Sequence, residues 1–119
     1  MKGVLVVAHG SRVKETENTL VSILDRVKES MPGIRIEHAF MEFSDQTLEK
    51  AMKSLVDSGV TEVKIVPYFL FMGVHLREDI PEMIKKCTDG YAHVKVEMGE
   101  PLGADPRLAE ILIDRIKGC

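Results

Sequence analysis

The chain has no tryptophan, and aromatic residues make up only 5% of its 119 positions. Its seven methionines are the natural fillers of irregular gaps in a core so short of large rings. It has two cysteines, Cys87 and Cys119, too far apart for a Cys-x-x-Cys pair. That excludes a zinc or iron–sulfur site built from cysteine and reads as two reduced thiols. There is no excess of positive charge: 16 Lys plus Arg against 19 Asp plus Glu leave a net charge of −3. That is the wrong sign for a nucleic-acid binder. No apolar run approaches the ~18 residues of a membrane helix. The apolar stretch after Lys2 is broken at His9 to Lys14, unlike a secretory signal. The expected location is therefore cytoplasmic, with no membrane and no nucleic acid among the partners. No Gly-x-x-x-x-Gly-Lys loop, no Gly-x-Gly-x-x-Gly after the first strand and no Gly-x-Ser-x-Gly elbow occurs. These absences argue against ATP-driven, dinucleotide and serine-hydrolase chemistry.

What remains is an ordinary globular balance, 45% hydrophobic and 29% charged, at a length that fits one domain over residues 1–119. Gly3 to Ala8 is continuously apolar and β-branched, as a strand buried on both faces should be. Leu20, Ile23, Leu24, Val27 and Met31 then recur at helical spacing, and Pro32-Gly33 stops that helix. Ile34 to Met41 reads as the second strand. Ser44 or Asp45 is placed to cap a second helix with its stripe at Leu48, Ala51, Met52, Leu55 and Val56. A third strand falls within Val60 to Phe71. Asp79, with Pro81 in the first turn and Glu82 closing a capping box, predicts a third helix. Tyr91 to Met98 is the fourth strand. Asp105-Pro106 opens a last helix that would turn Leu108, Leu112 and Ile116 inward. The order βαβαβαβα predicts an α/β, flavodoxin-like fold: a four-stranded, mostly parallel sheet with helices on both faces and its first and third strands adjacent.

In such a sheet ligands bind outside the carboxyl ends of the strands, and that is where the unusual residues fall. His9 ends the first strand and is followed by Gly10-Ser11-Arg12, a tight turn with a hydroxyl, backbone N–H groups and a guanidinium that suit an anion. Glu42 follows the second strand. His75 follows the third, after the apolar loop Leu70-Phe71-Met72-Gly73-Val74, which suits a flat, greasy ligand. A carboxylate between two imidazoles can raise their basicity or shuttle a proton. Two histidines and a glutamate without a nucleotide site point to divalent-metal transfer or proton abstraction. His38 and His93, inside the second and fourth strands, show no evident partner and read as surface or packing residues.

These residues also carry a resemblance. Ala8-His9-Gly10-Ser11-Arg12, Phe40-Met41-Glu42, Pro67 through His75 with Asp79-Ile80-Pro81, and Pro101-Leu102-Gly103 with Arg107-Leu108 are similar to the short, CbiX-type sirohydrochlorin chelatases. The similarity covers essentially the whole chain. It implies a lyase that inserts Co²⁺, Ni²⁺ or Fe²⁺ into sirohydrochlorin without ATP, for cobalamin or a related tetrapyrrole, with cobalt the first expectation. It further implies that His9 and His75 hold the metal, that a histidine takes pyrrole protons, and that the chain works as a homodimer. The metal is then a substrate, and no permanently bound cofactor is expected. Gly10, Ser11, Arg12 and the loop Leu70 to Val74 become substrate-binding candidates. Lys14 and Arg77 would help offset repulsion between a negative protein and a carboxylate-rich substrate. Two other readings use the same residues. One is a non-catalytic metal or tetrapyrrole carrier. The other is a histidine phosphatase or mutase, whose Arg-His-Gly is Ala8-His9-Gly10 here.

Overall fold

The computed structural model describes residues 1–118 and, at His75, the backbone alone. Strands and helices alternate as β1 (Lys2–Ala8), α1 (Glu15–Ser30), β2 (Arg35–Phe40), α2 (Leu48–Asp57), β3 (Glu62–Pro67), α3 (Val74–Thr88), β4 (Lys95–Met98) and α4 (Pro106–Lys117). The strands form one parallel sheet in the order β2-β1-β3-β4, so the expected α/β class and the adjacency of β1 and β3 both hold. β1 is central, and the alternation of its side chains explains its unbroken apolar sequence. Leu5 and Val7 point into a core closed by α2 and α3, with Ala51, Met52, Leu55, Ile65 and Ile80. Val6 and Ala8 point to the opposite face, where Leu20 and Leu24 of α1 meet Ile36 and Phe40.

Several boundaries move. α3 starts at Val74 with Gly73 before it, not at Asp79, and Pro81 lies inside the helix. The Arg77 N–H donates to the Gly73 carbonyl at 3.1 Å, so a full turn forms ahead of the apparent capping signals. Pro81 removes only the donor that would have met the Arg77 carbonyl, on an exposed side of the helix. His75 therefore stands in the first turn of α3 rather than in a loop. α2 is capped by Thr47, whose hydroxyl accepts from the Lys50 N–H at 3.3 Å. Ser44 instead serves the turn before it, accepting from the Gln46 N–H. β4 is short because Tyr91 to Val94 close a turn, the Val94 N–H donating to the Tyr91 carbonyl. β3 ends at Pro67, which has no N–H for the ladder.

α4 departs furthest from expectation. Its cap is as read: Asp105 accepts from the Arg107 backbone N–H, and the Arg107 guanidinium beside it holds that carboxyl well below the usual carboxylate range. Its apolar stripe turns inward only in part: Leu108 is half-buried, but Leu112 and Ile116 are not. Leu112 is 61% and Ile116 63% exposed, because among the described residues no sheet face or helix lies over them. The sheet is correspondingly thin on that side: α1 covers β1 and β2, while Lys64 of β3 and Glu97 of β4 remain exposed. Cys87 is buried on α3, and burial pushes its thiol up to about 11, in line with an inert packing role. Cys119 lies outside the described residues.

The α2–α3 core should set the stability of the fold. Met52 is fully buried at its centre. Met52→Ala is expected to lower the unfolding free energy by about 2–5 kcal/mol, read as a urea midpoint shift at constant slope. A loss well under 1 kcal/mol would contradict this packing.

Candidate active site at the carboxyl rim of the sheet

The β1–β2 ladder does not stop where the strands do. The Met41 N–H donates to the Ala8 carbonyl at 3.0 Å and the Glu42 N–H to the His9 carbonyl at 3.2 Å. Two rim loops thus leave the sheet side by side, and their side chains meet: His9 Nε2 lies 3.0 Å from Glu42 Oε1. Gly10 makes this approach possible. Its φ is +103°, and a Cβ there would sit 2.1 Å from the Glu42 carbonyl oxygen. A side chain at position 10 would therefore force the loops apart. The Glu42 loop is tied back at its far end, where the Phe40 N–H donates to the Gln46 carbonyl and the Gln46 amide to the His38 carbonyl.

The contact is a close charge pair, so the Glu42 carboxylate is placed to stabilise a proton taken up by the His9 ring. Both side chains are about half exposed, which leaves the pair open to a ligand. On the other side of β1, the Tyr68 N–H donates to the Val7 carbonyl at 2.7 Å, so the β3 exit runs alongside. The loop that follows exposes Leu70, Phe71 and Val74 at 50%, 85% and 72%. Exposed apolar side chains clustered on one rim mark a binding surface. Among the described residues no group of three or more His, Cys, Asp and Glu side chains converges as a ready-made metal cage.

Ser11 turns the chain toward α1, its hydroxyl accepting from the Val13 N–H at 3.0 Å. Arg12 lies over the ring of Phe43, its guanidinium carbon 4.9 Å from the ring centroid. Phe43, unremarked in the sequence, is the one non-glycine with a positive φ among the described residues, at 62°. Only the pattern Glu-Phe-Ser-Asp at a strand exit could have hinted at so tight a turn. His38 does have a partner: Nε2 lies 2.9 Å from Glu17 Oε2, and the ring packs edge-on against Phe40. That pair ties α1 to β2 and is a structural contact that sequence distance conceals. His93 is exposed in the turn before β4.

The model of the CbiX family matches residues 3–119. The chain belongs to the CbiX family. It is 39% identical to the sirohydrochlorin ferrochelatase of Priestia megaterium, covering 98% of this chain and 44% of that one. It is 36% identical to the sirohydrochlorin cobaltochelatase of Methanopyrus kandleri, covering 98% and 96%. Among solved structures it superposes on the chelatase SirB of Bacillus subtilis. The cobalt complex gives a TM-score of 0.90 at 29% identity, covering 98% of this chain and 50% of that one. The structure with Fe³⁺ gives 0.89 at 30%, covering 98% and 46%. The chain thus spans about half the length of some CbiX-family relatives and nearly all of others.

The role of Gly10 is directly testable. Gly10→Ala is expected to destabilise this CbiX-family protein by more than about 2 kcal/mol in urea unfolding, from the left-handed backbone and the carbonyl clash together. Wild-type stability in that variant would show that the loops approach without it.

Proposed function

We propose that the chain is a sirohydrochlorin metal chelatase that inserts a divalent ion without ATP. The observation that carries this reading is the open His9–Glu42 pair beside an exposed apolar loop, in a chain of the CbiX family. Insertion exchanges two pyrrole N–H protons for one M²⁺, so the site must both present an ion and accept protons. An imidazole lone pair of His9 suits both tasks in turn. It holds the ion and, once the ion passes to the macrocycle, takes up a proton, and Glu42 stabilises the imidazolium that results. His75, whose backbone sits in the first turn of α3 at the same rim, is the second donor in this proposal. Imidazole and carboxylate accept Co²⁺, Ni²⁺ and Fe²⁺ alike. Cobalt is assigned first, since the relative matched almost end to end is named a cobaltochelatase. The loop Leu70 to Val74 lies against the macrocycle, and Gly10, Ser11 and Arg12 meet its carboxylates.

The working unit in this proposal is a two-fold homodimer. One rim covers one face of a flat tetrapyrrole, and a second copy covers the other. The uncovered stripe of α4 offers apolar surface to such a partner. Relatives of twice this length have room for two such domains in one chain.

Activity is followed by the absorbance change of sirohydrochlorin with Co²⁺. His9→Ala and His75→Ala are each expected to slow insertion by at least about 100-fold. Glu42→Gln, which keeps the size of the side chain and removes its charge, is expected to slow it about 10–100-fold while Co²⁺ affinity by calorimetry changes less. Turnover limited to one equivalent of protein would favour the carrier. Light scattering should give twice 13.3 kDa, and Leu112→Asp with Ile116→Asp should give a folded monomer. A wild-type monomer with full activity would overturn the dimer.

A further inference from the structure

Phe43 holds a backbone conformation that bulky residues avoid, and half of its ring stays exposed rather than entering the core. A strained, solvent-facing aromatic at a site rim calls for a task other than packing. Among the described residues its ring contact is Arg12. Among the described residues no carboxylate pairs with Arg12. The guanidinium is therefore oriented by a π-face and keeps its N–H donors unspent.

Arg12 and Phe43 stand at a groove of about 450 Å³ between the β1–α1 and β2–α2 loops, which also carries Lys14 and Lys50. Two acids line it as well, Glu17 and Asp45. Glu17 is engaged by His38, so the groove presents three cations to one unengaged carboxylate. It adjoins Glu42 along the chain and lies on the α1 side of the rim, away from the apolar β3 loop. Resting on the reading of this protein as a chelatase, we propose that Phe43 is a positioning residue for substrate recognition. Its ring holds Arg12 so that the guanidinium takes a carboxylate arm of the tetrapyrrole in a bidentate grip at this groove. The arm then holds the macrocycle at the rim that carries His9 and Glu42.

The test is equilibrium binding of metal-free sirohydrochlorin, read by its fluorescence, beside steady-state rates. Phe43→Gly removes the ring and relieves the left-handed backbone, so urea stability should hold or rise while Kd and KM increase about three- to tenfold. kcat should stay within about twofold, since the insertion step is untouched. Phe43→Tyr should retain wild-type binding, and Arg12→Lys, which keeps the charge but not the planar fork, should behave like Phe43→Gly. In an Arg12→Ala background Phe43→Gly should add nothing. Unchanged Kd in Phe43→Gly, or full additivity with Arg12→Ala, would overturn the assignment. Wild-type binding that depends on Phe43 but leads to no metal insertion would overturn the chelatase reading and leave this one standing. Absence of wild-type binding would overturn both.

Discussion

The approach of Gly10 to the carbonyl of Glu42 is the constraint from which the rest of the rim follows. Two parallel strands ordinarily diverge once their ladder ends. Here the hydrogen bonds continue through Met41 and Glu42, because position 10 carries no side chain and accepts a positive φ. The consequence is an imidazole and a carboxylate 3.0 Å apart on two loops, each anchored to a strand of the rigid sheet rather than to each other alone. Such a pair is held ready without being buried, which a site exchanging ions and protons with solvent requires.

The same two loops separate two tasks in space. Toward β3, the rim exposes the apolar side chains of Leu70, Phe71 and Val74, fit for a flat apolar ligand, while Met72 packs against the core. Toward α1, it gathers Arg12, Lys14 and Lys50 around a polar groove, fit for charged arms. His9 and Glu42 stand between them. A protein with net charge −3 thereby carries a locally positive edge at this rim.

The sheet was legible because its signals are local. The unbroken apolar β1 could only be central, and Pro32-Gly33 ends the first helix where the chain turns. Asp105-Pro106 read correctly for the same reason. α3 misled because Asp79, Pro81 and Glu82 imitate a helix start, while the turn from Val74 has only Gly73 as its cap and no side-chain cap hydrogen bond. The His38–Glu17 pair was invisible because its partners are 21 residues apart and meet only when α1 packs on β2. The stripe of α4 was legible as a stripe. Periodicity says that a face is apolar but not which molecule covers it. Nothing in a Phe-Ser-Asp turn announces that its phenylalanine will take a left-handed backbone.

Two His–Glu pairs of nearly equal length coexist in this molecule, and only one of them is claimed as the place where the ion enters. Paramagnetic NMR distinguishes them directly. Substoichiometric Co²⁺ added to ¹⁵N-labelled protein should broaden or shift the amides of His9, Gly10 and Glu42 first, leaving those of Glu17, His38 and His93 near their metal-free positions. Broadening centred on Glu17 and His38, or spread evenly over all four histidines, would contradict the account.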